Sequence, residues 1–172
     1  MRLPGTPFDG NDRRKSAHPT SIGGNTAMKI RTIVEDDLPR CAQLYVEIYG
    51  ATSYREAWTY DSALARVTDL WTNCANSCFI AEERDRAVGF AFCSYHTWWM
   101  GKVMRIDELD VDPRLQRHGI GTALLEHCIG AGRYLHDVAA VEVVSPRTAP
   151  ALDFYTSRGF ESGGRELLSR RL

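Results

Sequence analysis

Asp112-Pro113-Arg114-Leu115-Gln116-Arg117-His118-Gly119-Ile120-Gly121-Thr122 is the stretch that decides the reading of this chain. Pro113 ends the strand before it, because proline has no N–H to give to a sheet ladder. Gly119 and Gly121 let the backbone approach an anion closely while a helix opens. The first N–H groups of that helix lack carbonyl partners of their own, and with the helix's partial positive charge they suit a pyrophosphate. Arg114 and Arg117 add charge at the rim. Two other glycine-loop chemistries fail on residues. A nucleotide P-loop requires a lysine before its Ser or Thr, and here Thr122 follows Gly121 directly. A dinucleotide fingerprint requires a third small residue where this chain has Leu124. A plain glycine-containing turn is the competing account.

Working outward, the segment 104–111 before the turn reads as a strand with a slip in its phase. Met104 and Ile106 share one face of an ideal strand, whereas Leu109 and Val111 fall on the other. One extra residue near Asp107 and Glu108 restores the alternation. Such a β-bulge bends a strand and re-aims its side chains, often beside an active site. It brings three carboxylates, Asp107, Glu108 and Asp110, close to the turn; an acidic, solvated strand end is the simpler alternative.

Residues 1–27 are rich in Gly, Pro, Asn, Asp, Arg and Ser without apolar periodicity, which predicts a disordered extension. A single domain is expected over 28–172. Its elements read as a strand at 29–34, two helices carrying Leu38, Cys41, Tyr45 and Ile48, then Tyr60, Leu64, Val67 and Trp71. Strands follow at 77–82, 87–95 and 104–111, the first two joined by a short charged turn. A helix over 121–135, a buried strand at 138–144, a helix over 149–157 and one or two closing strands over 160–172 complete the order βααβββαβαβ(β). The fold class is α+β.

The chain has 172 residues, 44% of them hydrophobic, enough for one well-packed core. With 21 basic and 22 acidic residues its net charge is -1, which argues against a nucleic-acid binder and for a small-molecule partner. Five cysteines in apolar settings suit buried reduced thiols, and no second ligand pair stands at zinc spacing from Cys74 and Cys78, so no metal is expected. No apolar run reaches a membrane span and the N-terminus has no secretory core, so the expected location is the cytoplasm.

The turn and its surroundings resemble the GNAT (general N-acetyltransferase) superfamily, whose central motif is Gln/Arg-x-x-Gly-x-Gly/Ala between a bulged strand and a helix. Here Leu109-Asp110-Val111-Asp112-Pro113 precedes Gln116-x-x-Gly119-x-Gly121. A second element, Ala151-x-x-Phe154-Tyr155-x-x-x-Gly159-Phe160, is similar to the family's Tyr-x-x-x-Gly-Phe pattern. The resemblance implies a three-layer α/β/α arrangement around a mixed, twisted sheet of 6–7 strands that splays after strand 4. It implies acetyl-CoA as co-substrate, with its pantetheine arm along the backbone of Leu109, Asp110 and Val111. The pyrophosphate is expected on Gln116, Arg117, His118, Gly119, Ile120, Gly121 and Thr122, with further contacts from Ala151 and Phe154. Thr148 stands where the family has asparagine, one residue out of step, a departure that bears on its contact to the pantetheine amide.

Acetyl transfer to an amine needs a base, because an alkylamine with a pKa near 10.4 is almost wholly protonated at neutral pH. Glu108 is the first candidate, Asp107 the second and Glu142, on the neighbouring strand, the third. A backbone N–H near Val111 is the expected donor to the carbonyl oxygen. Tyr155 matches the family tyrosine beside the sulfur and is the candidate general acid. Full proton transfer from a phenol at about 10 to a thiolate at about 8.5 runs uphill by roughly 2 kcal/mol, so a strengthening hydrogen bond is its expected contribution. Tyr54, Trp58, Trp98 and Trp99, with Tyr60 and His96, are the candidate lining of the acceptor pocket, since aromatic faces beside carboxylates suit a cationic amine. Trp98 and Trp99 serve equally to cap the core or to form a homodimer contact. A non-catalytic acyl-CoA sensor and an acetyltransferase acting on protein N-termini or lysines are the alternative functions.

Overall fold

A computed structural model describes residues 28–51, 56–145, 150–164 and 170. In chain order they form β1 (Lys29–Thr32), α1 (Leu38–Ala51), α2 (Tyr60–Cys74), β2 (Cys78–Glu83), β3 (Arg86–Trp98), β4 (Gly101–Val111), α3 (Ile120–His136), β5 (Ala140–Val143) and α4 (Pro150–Thr156). This is the predicted order as far as α4. Residues 160–164 form no strand, and the rest of the expected closing segment, apart from residue 170, lies outside the described residues, as does the N-terminal extension. The described sheet therefore has five strands, ordered β1-β2-β3-β4-β5.

The first three pairings are antiparallel and β4 with β5 is parallel. The predicted charged turn between β2 and β3 has Arg84 and Asp85 at its tip with φ of 49° and 59°. Positive φ at both central residues gives a turn whose twist matches that of the strands it joins.

β3 is covered on both faces, which explains its unbroken run of small and apolar residues from Ala87 to Cys93. Phe90 and Phe92 pack with Leu38, Tyr45 and Ile48 of α1 and with Ala63, Val67 and Leu70 of α2. On the opposite face, Ala91 and Cys93 pack with Ile106 and Val111 of β4 and with Leu124, Leu125 and Cys128 of α3. The result is the expected three layers. Four of the five cysteines are buried and all five are free thiols. No helix among the described residues is long and apolar enough to cross a membrane.

The junction of β1 and α1 is pinned by a buried carboxylate. Asp37 accepts hydrogen bonds from Arg31 Nη2 at 2.8 Å, from the Val34 N–H at 2.9 Å and from Arg40. The Arg31 guanidinium holds this carboxyl well below the usual carboxylate range.

Gly89 fixes how closely β3, β4 and α3 approach one another. A Cβ there would lie 2.8 Å from the Asp110 carbonyl oxygen and 3.0 Å from Leu124 Cδ1. Gly89→Ala should therefore destabilise the fold by about 1–3 kcal/mol, as overpacking does, seen as a lower urea midpoint at unchanged m-value.

Candidate active site

The turn between β4 and α3 is shaped by Asp112, whose side chain is fully buried. It accepts from the Arg114 N–H at 3.0 Å, from Arg114 Nε and Nη2 at 2.9 Å each, and from Arg86 Nη2 at 2.6 Å. Arg114 also reaches Glu47 at 2.9 Å. Arg114 is thus committed to the protein and does not supply the rim charge expected of it. Arg117, with φ of 66°, and Gly119, with φ of 88°, bend the chain through the left-handed region into α3. Gln116 Nε2 closes the bend on the Val111 carbonyl at 3.3 Å, and His118 Nδ1 lies 2.8 Å from the Gln116 carbonyl.

From residue 123 onward the helical ladder is made, beginning with the Ala123 N–H to the Gly119 carbonyl at 2.9 Å. The N–H groups of Gly119, Ile120, Gly121 and Thr122 find no acceptor among the described residues. Four open donors at a helix start, in a turn entered through two left-handed residues, form an anion-binding cradle. Gly121 lies under the Phe154 ring, where an added Cβ would stand 3.7 Å from it. Arg158 stacks on the other part of this wall, 3.9 Å from the Phe154 centroid, and donates to Thr122 Oγ1 at 2.6 Å. Arg158 was not singled out in the sequence; its spacing of four residues from Phe154 was the available signal.

Next to the cradle the sheet opens. β5 pairs with β4 from Val103 with Ala140 to Ile106 with Val143, and stops there. From Asp107 to Val111, that edge of β4 has no strand partner among the described residues. The opening begins where the phase slip was read. Against β3, Glu108 pairs with Phe92 and Ile106 with the next residue, Cys93, so Asp107 is the extra residue of a bulge. Ile106 and Val111 consequently join the α3 side, while Glu108 and Asp110, opposite Phe92 and Phe90, join the α1/α2 side.

Glu108 is held by four donors there: Tyr45 Oη at 3.3 Å, Arg66 Nε at 3.2 Å and Nη2 at 2.9 Å, all on Oε1, and Tyr49 Oη at 3.1 Å on Oε2. Burial, reinforced by the acidic neighbours Glu108 and Asp110, pushes both phenols upward, so they remain donors. Burial also pushes the Asp110 carboxyl well above its ordinary value, with Glu108 and Glu56 adding to the shift. Its Oδ2 is buried and has no hydrogen-bond partner. Trp58 packs edge-on to Tyr45 at 5.0 Å and donates to Glu56 at 2.7 Å.

Of the expected acceptor-pocket residues, the structure brings Trp58 to this site. Trp98 and Trp99 do not join it. Trp98 pairs with Gly101 at the far end of the hairpin, and the run of β4 from there to Glu108 is roughly 20 Å; Trp99 is 84% exposed. Asp107 occupies the bulge, and Glu142 is engaged by Arg105 at 2.6 Å. Tyr155 is buried in the α3-side cluster with Val111 and Phe160, beside the opening. Ala151 packs in the same cluster; Tyr54 and Thr148 lie outside the described residues. Tyr49 and Arg66 were missed. Tyr49 follows the helical stripe of α1 at one turn from Tyr45, a signal that was present but indistinguishable from core.

Residues 38–160 match the acetyltransferase (GNAT) family. The chain belongs to this family. A relative from Methanocaldococcus jannaschii, described as an uncharacterized N-acetyltransferase, is 28% identical over 144 residues, 77% of this chain. The chain spans 60% of that relative's length. Among solved structures, an aminoglycoside N-acetyltransferase in complex with CoA superposes with a TM-score of 0.68 at 19% identity, covering 87% of this chain and 98% of that one. Ard1 from Thermoplasma volcanium superposes with a TM-score of 0.62 at 25% identity, covering 78% and 82%.

Asp112 gives this GNAT turn a pH signature. The Arg114 guanidinium, more than burial opposes it, lowers its carboxyl pKa. The stabilisation is therefore full above the unfolded value of about 4 and is lost as pH falls through the folded one. Asp112→Asn should cost about 1.5–3 kcal/mol at pH 7, the usual range for hydrogen bonds to a charged group. That difference from wild type should shrink in urea melts run progressively below pH 4.

Proposed function

We propose that this protein moves the acetyl group of acetyl-CoA to a primary amine of a small cationic molecule, by direct attack in a ternary complex. The observation that carries the reading is the set of open N–H groups at residues 119–122 beside the unpartnered edge of β4, with carboxylates on the strand's other face. These residues fit CoA. A diphosphate would satisfy the four donors, and an extended amide-bearing arm would take up the backbone edge of Leu109, Asp110 and Val111 in the manner of an added strand. Arg117, Arg158 and Phe154 stand where they would border it. Bound acetyl-CoA supplies an activated thioester, and the balance is ammonium plus thioester to amide, thiol and one proton.

The chain's own residues supply the rest. Glu108 and Asp110 offer negative charge to an ammonium, and Trp58, Tyr45 and Tyr49 offer aromatic faces to it. Tyr155, buried in the α3-side cluster with Val111, is assigned the role of hydrogen-bond donor to the departing sulfur. The similarity to an aminoglycoside N-acetyltransferase, and to a second structure of such an enzyme with a CoA-acetylneamine bisubstrate analog, supports a polyamine-like or aminoglycoside-like acceptor.

Release of CoA thiol should accompany acetyl-CoA consumption when diamines, polyamines and aminoglycosides are supplied. Tight CoA binding with no turnover on any amine would make the chain an acyl-CoA sensor. Tyr155→Phe should lower kcat by roughly 10- to 100-fold, the scale of one lost transition-state hydrogen bond, with acetyl-CoA affinity from calorimetry nearly unchanged. Equal loss of both would leave Tyr155 a packing residue.

A further inference from the structure

Among the described residues, Asp110 Oδ2 is the carboxylate oxygen that is buried without any hydrogen-bond partner. Folded proteins rarely leave such an acceptor unsatisfied unless a ligand or chemistry uses it. The groups that face it make the omission specific. Tyr45 and Tyr49 of α1 and Arg66 of α2 give their donors to Glu108. Glu56 receives Trp58 Nε1, and Phe90 fills the position opposite on β3. Glu108, two residues away on the same face, is already engaged at both oxygens, accepting three hydrogen bonds on Oε1 and one on Oε2, whereas Asp110 Oδ2 accepts none. A base must have a lone pair to give, and Asp110 has it.

We propose that Asp110, not Glu108, is the catalytic base, with Glu108 a positioning residue that holds the acceptor's charge in register. This rests on the amine-acetylation reading and names the residue that performs its proton step. One N–H bond of the acceptor ammonium breaks and one O–H bond forms at Asp110 Oδ2. The nitrogen keeps the electron pair with which it attacks the acetyl carbon, and Asp110 returns the proton to water after product leaves. Asp110 is well placed for both partners, because its backbone lies in the unpartnered part of β4 while its side chain faces α1 and α2.

The test compares wild type, Asp110→Asn and Glu108→Gln on two acceptors: 1,5-diaminopentane, an ammonium at pH 7, and an aryl hydrazine, already neutral there. Asp110→Asn should lower kcat on the diamine by roughly 100-fold or more, remove the acidic limb of the pH-rate profile and keep CoA affinity. On the hydrazine its deficit should nearly vanish. Glu108→Gln should act mainly on KM for the diamine. Asp110→Asn within about threefold of wild type, or equally impaired on both acceptors, overturns the proposal. Should that variant fail to bind CoA, carboxyl 13C resonances of wild type decide. Adding the diamine without acetyl-CoA should ionise one buried carboxyl, and unmoved resonances overturn the assignment. Wild type inactive on every amine would sink the acetylation reading and the base with it, whereas an active wild type with an unaffected Asp110→Asn sinks the base alone.

Discussion

One inserted residue organises this molecule. Were β4 a regular strand, Ile106, Glu108 and Asp110 would share a face, and either carboxylates would be driven into the α3 core or aliphatic side chains turned away from it. Asp107 takes up the extra position, so Ile106 and Val111 face α3 while Glu108 and Asp110 face the first two helices. Pairing with β5 ends one residue earlier, at Ile106. The same local kink therefore sorts acid from hydrocarbon and opens the sheet.

What lies around the kink is held rigidly. Gly89 lets β3 approach the Asp110 carbonyl closely, and Asp112 draws Arg86 and Arg114 over the end of β4. Tyr45, Tyr49 and Arg66 fix Glu108 from two helices. Of the arginines near the cradle, Arg114 is spent on Asp112 and Glu47, whereas Arg158 reaches Thr122 and Arg117 lies in the turn itself, beside the open main-chain donors.

Much of this was legible in the residues. Pro113, Gly119 and Gly121 mark the strand end and the helix start because each has a conformational property no other residue shares, and the phase slip locates the bulge because alternation has a fixed period. The order of elements along the chain through α4 followed from periodicity and from turn and capping residues. Three things were not legible. The partners of Glu108 come from residues some forty to sixty positions away in sequence, and no local pattern announces a long-range contact. Whether Arg114 serves phosphate or protein depends on a buried acid two residues before it, a choice made by packing. Trp98 and Trp99 looked like pocket residues by composition, yet the length of the β3–β4 hairpin carries them away from the acids.

The bulge also separates two kinds of recognition within one strand. On the proposed reading, the carrier would meet the edge of β4 and the start of α3, chiefly through backbone atoms that substitutions leave in place. The proposed acceptor would meet side chains on the opposite side, from α1 and α2. Under that proposal, a change at Tyr49, Trp58 or Arg66 would retune what is accepted while the grip on the donor stayed as it was, so the fold would diversify its choice of acceptor without rebuilding its source of acyl groups.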